Sequence, residues 1–466
     1  MYHTAIQSSV PAQSMCSASR AEILSAFSYA LDITEGQPAG HSIRAAWIGT
    51  FLGLAHGLRG AALNDCTYAV LLKDLGCSSN AARVAELFLG DDRKLKHAFK
   101  TIGPEAADFL TFIEQVVGRN AFPVERSCAI DTLKADAGPI LTDIIDTRCN
   151  QGARIARRLR FSDDVAEAIA SLDEHWDGNG MPLCLSGENI PLVARIAPLS
   201  QVADVFFMIG GPEVALTQVR ARSGSWLDPE LVELFAELGE DPAFWASLAA
   251  PDIEARLHAI AAVNDHVTVD DDYLDAIAAA FGEVIDAKSP YTSGHSERVG
   301  RFADAIATEL GFEEGPRRHL RRAAMLHDVG KLGVSNRILD KPDKLDDGEW
   351  LKMRCHATLT AEILGRIGVL ADMAMIAAAH HEKLDGTGYP LQLDGALISF
   401  ETRIITAADI YDALTADRPY RAAMSAERAI SIMEEECGTA VDPVVLQALK
   451  SVVVRASASV GPDRIT

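Results

Sequence analysis

The sequence contains no uncharged apolar run of about 18 residues, the length that a membrane-spanning helix requires. Its first residues are small and polar, and they lack the basic region followed by an apolar region that marks a signal peptide. The 48% hydrophobic and 23% charged residues are typical of a globular protein. We therefore expect a flexible tail over residues 1–19, no association with a membrane, and a cytoplasmic location.

Closely spaced cysteine pairs and an excess of positive charge are also missing. The eight cysteines are scattered and none forms a CxxC pair, which fits a reducing cytoplasm without disulfides. The formal net charge is −23, which argues against bulk binding to nucleic acid. A small anionic ligand is compatible with this charge if basic residues are concentrated locally.

What the sequence does contain is an internal repeat. The stretch "EHWDGNGMP" starting at Glu174 matches "EKLDGTGYP" starting at Glu382, at a constant offset of 208. Upstream, "DITEGQPAGHSIRA" matches "DAKSPYTSGHSERV" at an offset of 254. The offset changes between Cys77 and Asn150, so the first copy carries about 48 additional residues there. This self-similarity predicts two copies of one structural unit.

Both copies have the hydrophobic periodicity of helices. In "HSERVGRFADAIATELG", apolar residues recur at the i, i+3, i+4, i+7 spacing of an amphipathic helix. The segment "DDDYLDAIAAAFGEVIDAKSP" begins with acidic residues and stops at Pro290, as expected for a helix. Alternation typical of strands is scarce, so we predict an all-α fold with two tandem helical domains. The first covers residues 20–250 and the second 273–460, with a junction over 251–272.

Ionisable residues occupy core-facing positions on several helices of the second copy. A buried imidazole or carboxylate without a partner is costly, so we expect these residues to meet one another. Seven candidates share such positions or helix ends: His295, His327, Asp328, His356, His380, His381 and Asp409. One such histidine alone is more often a hydrogen-bonded core residue, but five histidines with two aspartates indicate a metal cluster.

The types of these ligands limit the metal and its chemistry. Mixed imidazole and carboxylate ligands suit Fe, Mn, Zn or Ni and disfavour Mg or Ca. Seven ligands are too many for one tetrahedral ion and about right for two, with an aspartate such as Asp328 as a bridge. Two adjacent ions can act on the attacking and leaving oxygens of a phosphate ester, so the cluster predicts phosphate-ester hydrolysis.

The seven residues belong to an ordered series of motifs. The second copy contains "YTSGHSERV", "HDVGK", "KPDKL", "HHEKLDGTGYP" and "RIITAADIYDALTADRPYR", followed by "DP" at 442–443. With this series, residues 280–460 resemble the HD-GYP domain, a branch of the HD metal-dependent phosphohydrolases. The resemblance implies hydrolysis of cyclic di-GMP to pGpG or GMP with two metal ions, Fe or Mn in preference to Zn or Ni. Some members of the family hold a third metal through a glutamate four residues before the first histidine, but that position here is Tyr291.

The resemblance implies a role for each residue of the cluster. His327 and Asp328 would form the HD pair, with Asp328 bridging two metal sites. One site would be completed by His295 and Asp409, and the other by His356, His380 and His381. As a second catalytic residue beside Asp328, Lys331 would direct its ammonium group at the scissile phosphate.

The resemblance also implies residues that bind the substrate. The loop Gly388-Tyr389-Pro390 would shape the pocket, with Tyr389 against a phosphate or a guanine. Arg418 and Arg421 would hold the phosphates, because a guanidinium suits that contact. Lys341 and Lys344 are weaker candidates for the same contact, and a solvated helix end is the alternative for them.

The first copy keeps the turn residues of the loop but only two of the seven ligand positions. His41 and Asp74 stand at the positions of His295 and Asp328. The other five positions are occupied by Lys73, Asn150, Leu172, Asp173 and Gln201. Two ligands are too few for a pair of ions, so we interpret residues 20–250 as a degenerate HD-GYP-like domain. Its role is either regulation through a ligand or partner, which we favour, or packing against the second copy.

Two other functions are compatible with the same residues. The second copy could act on another cyclic dinucleotide, such as cyclic GMP-AMP, or on a mononucleotide, because the motifs do not reveal a base preference. It could also be a non-catalytic receptor or scaffold, although its complete ligand set argues against this. For assembly we expect a homodimer or an intramolecular pseudo-dimer of the two copies, with no nucleic-acid partner.

Overall fold

The chain folds into helices throughout the part that can be described. The structure, a computed structural model, describes residues 20–262, 267–417 and 422–459. Within these ranges there are α-helices and short 3-10 helices, and apart from two isolated bridges there is no β-strand. The prediction of an all-α fold is confirmed.

Thirteen α-helices lie within residues 20–262: α1 (Arg20–Thr34), α2 (His41–His56), α3 (Gly60–Leu71), α4 (Ala81–Leu87), α5 (Asp92–Phe99), α6 (Ala106–Val116), α7 (Pro123–Ala135), α8 (Ala137–Arg158), α9 (Asp163–Ala170), α10 (Leu192–Arg220), α11 (Pro229–Leu238), α12 (Pro242–Leu248) and α13 (Ile253–Ala262). Nine more lie within the described residues from 267 onward: α14 (Asp271–Asp286), α15 (His295–Glu309), α16 (Glu314–Leu326), α17 (Asn336–Leu339), α18 (Asp347–Gly365), α19 (Ala374–Ala378), α20 (Phe400–Thr415), α21 (Ala426–Glu435) and α22 (Pro443–Ser459).

Helices α4 to α7 form the part of the first half that is much longer than its counterpart. They enclose a small hydrophobic cluster of their own, which includes Phe88, Phe112 and Ile113. The corresponding stretch of the second half contains only the short helix α17. The additional residues between Cys77 and Asn150 are therefore a helical insertion with a separate core.

The two halves share one continuous hydrophobic core. Phe27 of α1 stacks on Phe281 of α14 with ring centroids 3.5 Å apart, and both side chains are fully buried. At the edge of this contact the hydroxyl of Tyr29 donates to Glu362 at 2.7 Å. Such a boundary is typical of the interior of a domain, so the halves form an intramolecular pair.

The segment expected to join the halves contains a helix. Helix α13 packs against α1 and α2, and Leu257 and Ala261 are buried in the main core. The side chain of Asn64 donates to the carbonyl of Ala261 at 2.9 Å. The apolar residues of α13 thus attach the chain up to residue 262 to the first half. From the sequence, these residues were expected to lie in a junction between the two domains.

One helix has the length and hydropathy of a membrane span. It is α10, whose 18-residue apolar window has a mean hydropathy of 1.6 and is 56% buried inside the protein. Its backbone is bent at Gly210 and Gly211, where Gly211 has a φ of 78° that disfavours other residues. The helix also carries Asp204, which pairs with His41 and Arg44. A core helix has these same properties, so the observation is weak support for a membrane span.

Candidate metal centre and substrate pocket

Five helices of the second half bring the seven predicted ligands to one place. His295 begins α15 after Gly294, whose φ of 67° turns the chain into the helix. His327 and Asp328 directly follow α16, and His356 projects from the middle of α18. The remaining ligands follow α19 or lie on α20: His380, His381 and Asp409.

Asp328 lies between two groups of histidines. Its Oδ2 atom is 3.5 Å from Nε2 of His295 and 3.2 Å from Nε2 of His327. Its Oδ1 atom is 3.6 Å from Nε2 of His356 and 3.7 Å from Nε2 of His380. One carboxylate therefore presents one oxygen to each group, which is the arrangement that a bridging ligand requires.

Each group has a third member. Asp409 completes the group at Oδ2, since its Oδ1 atom is 3.4 Å from Nε2 of His295. His381 completes the group at Oδ1, with a ligand atom within 4.8 Å of those of His356 and His380. The seven side chains thus form two sets of three around a shared aspartate.

Backbone carbonyls fix the ring orientation of three histidines. The Nδ1 atoms of His327, His356 and His380 lie 2.7, 2.6 and 2.7 Å from carbonyl oxygens three residues earlier. Because a carbonyl only accepts, each Nδ1 carries a proton, and in the neutral form of the ring the free lone pair is on Nε2. A hydrogen-bonded core histidine would not need this orientation, so the alternative of purely structural histidines is disfavoured.

Burial determines the charge of these groups. Removal from water lowers the pKa of His356 to about 4 and that of His380 to about 3, so both are neutral imidazoles. Burial also disfavours charge on His295, but the neighbouring carboxylates of Asp328 and Asp412 raise its pKa to about 9. Despite its burial, Asp328 has a pKa well below the usual range because His327 and Lys331 are close. The ionised carboxylate of Asp328 and the neutral imidazoles of His356 and His380 are in the form in which such side chains bind metals.

The chemistry of the site fits divalent metal ions. The Nε2 atoms of His295, His327, His356 and His380 and the Oδ1 atom of Asp328 are buried and have no hydrogen-bond partner within the protein. Buried polar atoms without partners are rare, and five that converge on one point call for a ligand that accepts lone pairs. Nitrogen and carboxylate oxygen together suit a transition metal.

A cavity of about 540 Å³ opens above the predicted metal ligands. It is lined by Lys331 and Tyr389, and the Lys331 ammonium group lies 2.5 Å from Oδ2 of Asp328. The ring of Tyr389 stacks on that of His381 with centroids 4.7 Å apart. The size of the cavity is typical of a site for a small organic ligand.

The other predicted substrate residues differ in position. Gly388 packs on the backbone of Glu382, where a Cβ atom would approach to 2.4 Å, and neither it nor Pro390 lines the cavity. Lys341 lies outside the cavity lining and pairs with Glu349 at 2.6 Å, and Lys344 is exposed. Arg418 and Arg421 lie outside the described residues. The roles of all these residues stay predictions.

Two carboxylates that support the site were not identified from the sequence. Glu382 is buried and accepts from the backbone N–H groups of Leu391 and Leu393, at 2.6 and 2.9 Å, which holds the loop that carries Tyr389. Asp412 accepts from Nδ1 of His295 at 2.7 Å and orients its ring. Their signal was present, because Glu382 opens the repeated loop and Asp412 lies one helical turn after Asp409.

Three residues at the mouth of the cavity were also not identified as substrate contacts. The cavity is lined by Trp350 and Tyr291, which are 45% and 38% exposed. Arg354 places its guanidinium 5.9 Å from the Trp350 ring and 5.2 Å from the Tyr389 ring. No sequence motif marked Trp350 or Arg354, since only the fold brings α18 to the loop at Tyr389. Tyr291 opens a quoted motif but was noted there only as the position of a third-metal ligand.

The equivalent place in the first half is filled by the protein's own cations. Lys73 and Lys100 both pair with Asp74, and Lys100 also lies 3.1 Å from Glu35. Burial and the charge of Lys73 lower the pKa of His41 to about 4, whereas that of His295 is raised. Glu35, Asp74 and Cys77 are close enough to share an ion, but the lysines already neutralise both carboxylates.

The turn residues of the first loop are kept for a structural reason. Glu174 accepts from the backbone N–H groups of Leu183 and Leu185, both at 2.7 Å, as Glu382 does in the second half. Gly180 leaves no room for a side chain, because a Cβ atom there would lie 2.1 Å from the backbone nitrogen of His175. The loop therefore needs these residues even without a metal site.

Comparison with known proteins gives matches over both halves. A model described as the HD domain matches residues 136–231 and 280–445. The 3′3′-cGAMP-specific phosphodiesterase 3 of Vibrio cholerae is 50% identical over 430 residues, which are 92% of this chain and 93% of that protein. A crystal structure of a cyclic GMP-AMP-specific phosphodiesterase of V. cholerae has 44% sequence identity and a TM-score of 0.63, and the match covers 96% of this chain and 99% of that one. A cyclic di-GMP phosphodiesterase response regulator of Xanthomonas campestris is 34% identical over 199 residues, or 42% of this chain and 51% of that protein.

Proposed function

This chain belongs to the HD domain family as a metal-dependent phosphodiesterase of the HD-GYP type, and we propose that it hydrolyses 3′3′-cyclic GMP-AMP in its second half. The observation that carries the proposal is the pair of histidine groups around Asp328 on the floor of the cavity. The relative that is 50% identical over nearly the whole chain is named for cyclic GMP-AMP, which supports this base composition over cyclic di-GMP.

We propose that the site holds two divalent ions, Fe or Mn in preference to Zn or Ni. His295, His327 and Asp409 would hold one ion, and His356, His380 and His381 the other, with one oxygen of Asp328 for each. Such a pair of ions supplies Lewis acidity at the phosphate and lowers the pKa of water.

Hydrolysis opens one phosphodiester bond of the ring. The oxygen of water becomes bonded to phosphorus, the bond from phosphorus to the 3′ oxygen breaks, and that oxygen leaves with a proton as a hydroxyl group. Lys331 lies beside Asp328 at the cavity floor, where its ammonium group would offset negative charge that develops on the phosphate. The product is a linear dinucleotide, and a second hydrolysis would give mononucleotides.

The cavity mouth offers contacts to the bases. Trp350 and Tyr291 are exposed aromatic rings on which a base could stack, a contact worth about 1–3 kcal/mol per base. The guanidinium of Arg354 lies near the rings of Trp350 and Tyr389. A guanidinium can donate two hydrogen bonds to O6 and N7 of guanine. These residues would recognise one guanine and leave the second base to stacking.

The test compares three substrates on protein purified without oxygen and supplied with Fe or Mn. Cyclic GMP-AMP, cyclic di-GMP and cyclic di-AMP would be offered separately, while metal per chain is measured on the same sample. We expect about two ions per chain and the highest kcat/KM for cyclic GMP-AMP. If kcat/KM were highest for cyclic di-GMP, that dinucleotide would be the substrate instead of cyclic GMP-AMP. Bound metal without turnover of any of the three would refute the proposed function and favour a non-catalytic receptor.

We propose that residues 20–262 are a degenerate HD-GYP-like domain. Support comes from the cations that take the place of metal ions, since Lys73 and Lys100 pair with Asp74. These side chains are buried and paired with one another, so the protein's own groups occupy the place where a ligand would bind. This favours a role in packing over the sensing of a ligand in that place, although a partner elsewhere on the surface is compatible with it.

A matched pair of variants tests this assignment through metal content. His41 and His295 begin equivalent helices, and each bonds through Nδ1 to an aspartate that also pairs with an arginine. We expect His295→Ala to lose about half or more of the bound metal, because it removes a ligand. His41→Ala should leave the metal content unchanged. A fall in metal content for His41→Ala would show that the first half binds an ion.

A further inference from the structure

A carboxylate of the first half reaches the wall of the cavity in the second half. Asp92 begins α5, in the insertion, and its side chain is fully buried against the second half. Its Oδ2 atom lies 2.9 Å from Nζ of Lys288, which is also buried. Its Oδ1 atom accepts from the backbone N–H of Asn336 at 2.8 Å. One side chain therefore holds two separate segments of the second half.

Both of these segments form the cavity. Lys288 and its neighbour Ser289 line it on one side, and Leu339 of α17 lines it nearby. The side chain of Asn336 joins the two segments by donating to the carbonyl of Lys288 at 2.6 Å and to Asp340 at 2.7 Å. Any shift of Asp92 is thus transmitted to two walls of the cavity.

The segment at Lys288 also leads to the metal ligands. Tyr291 donates its backbone N–H to the hydroxyl of Ser289 at 3.3 Å, and His295 donates its backbone N–H to the carbonyl of Thr292 at 2.9 Å. Six residues lie between Lys288 and His295, and these bonds make the turn between them compact. The position of Lys288 consequently sets where Tyr291 stands at the cavity mouth.

Asp92 is itself held firmly within the first half. Its neighbour Arg93 donates to the carbonyls of Ile33 and Gly333, at 2.9 and 2.6 Å, and so spans the two halves. One turn later on α5, Lys96 pairs with Glu35 at 3.3 Å. Glu35 in turn pairs with Lys100, which reaches Asp74. Lys96, Glu35 and Lys100 thus link α5 to the degenerate site, and the charge of Lys96 also acts on Asp92 one turn away.

Stability alone is a poor explanation for this ion pair. Removing two charges from water costs about as much as their attraction returns, so an apolar pair of similar volume would serve packing equally well. An ion pair differs from an apolar contact because it requires one geometry for both partners. Lys288 lowers the pKa of Asp92 against the effect of burial, which keeps the carboxylate ionised.

We infer that Asp92 is a positioning residue through which the first half completes the substrate pocket of the second. The choice of substrate rests on the proposed function, but the position of the cavity walls does not. The degenerate half is then required for selective hydrolysis, and its own buried charges hold Asp92 in place.

The test uses the full chain with Asp92→Asn, Lys288→Met and the double variant. Two substrates are compared: the cyclic dinucleotide that the wild type hydrolyses, and bis(p-nitrophenyl) phosphate, a small diester that needs the metal site but few pocket contacts. We expect kcat/KM for the dinucleotide to fall on the order of 10- to 100-fold, with metal content unchanged and the small diester within roughly threefold. The double variant leaves neither Asp92 nor Lys288 as an unpaired buried charge. Its kcat/KM for the dinucleotide should be at least as high as that of either single variant, because the two residues act as a unit.

A control and a second measurement keep this inference separate from the proposed function. Glu86→Gln removes the same charge from an exposed position near α5 and should leave kcat/KM unchanged for both substrates. Hydrogen exchange of residues 286–292 and 334–341 should increase in the double variant even if no dinucleotide proves to be a substrate. An equal loss on both substrates, or unchanged exchange in these segments, would overturn the inference. Failure of the wild type to hydrolyse any dinucleotide would instead refute only the proposed function.

Discussion

With His327 and Asp328 both replaced by alanine, hydrolysis is expected to fall by at least about 10³-fold, which corresponds to a barrier higher by about 4 kcal/mol. Asp328 presents one oxygen to each histidine group, so its loss removes a ligand from both. His327 is fully buried beside it and contributes to one of these groups. The measurement is turnover of the cyclic dinucleotide together with metal per chain.

The helical fold should persist in this double variant. The two residues follow α16 and neither caps a helix with its side chain, so circular dichroism should be nearly unchanged. A matched control in the same half is His319→Ala with Asp372→Ala, which removes a His–Asp pair 3.2 Å apart that is partly exposed. That control should keep its turnover within about twofold, since surface substitutions have small effects. Substantial turnover by the His327 and Asp328 variant would mean that the metal site is wrongly assigned.

The second large effect is expected on stability, from Phe27→Ala. The Phe27 ring is fully buried on the Phe281 ring of the other half, so its removal leaves a cavity in the shared core. Truncation of a buried phenylalanine costs about 3–5 kcal/mol, a large part of the stability of a typical protein. The thermal midpoint and the urea midpoint of unfolding should both fall. Both midpoints should fall in metal-loaded samples and in samples treated with a chelator.

Phe122→Ala provides the control for this effect. Phe122 is 76% exposed at the start of α7, so its truncation should change the free energy of unfolding by less than about 0.5 kcal/mol. If Phe27→Ala unfolded at the wild-type midpoint, the two halves would not share a core in solution. The pocket would then not depend on Asp92 either, because both contacts need the same packing.

Local patterns were enough to predict the helices and the residues that converge. His356 and Asp409 lie on apolar helix faces, where an ionisable side chain is costly without a partner, and the structure brings His356 to Asp328 and Asp409 to His295. The same reasoning could not rank the basic residues. Lys331 lines the cavity, whereas Lys341 pairs with Glu349 on the outside, and both are lysines near helix ends.

The motifs contain residues that act through others, but they do not reveal the roles of these residues. Glu382 and Asp412 lie within quoted motifs, but nothing in the motifs says that one holds a loop and the other a histidine. Trp350 and Arg354 belong to α18, and their position at the cavity depends on how α18 packs beside the loop at Tyr389.

The sequence by itself determined the helical class, the repeat and the set of residues able to bind metal, because periodicity and spacing are local properties of the chain. Only the tertiary structure decided which oxygen of Asp328 faces which histidines, and that Asp92 meets Lys288 across 196 positions of sequence. Contacts of that kind depend on the angles and distances at which helices pack, and these follow from the shapes of many side chains together.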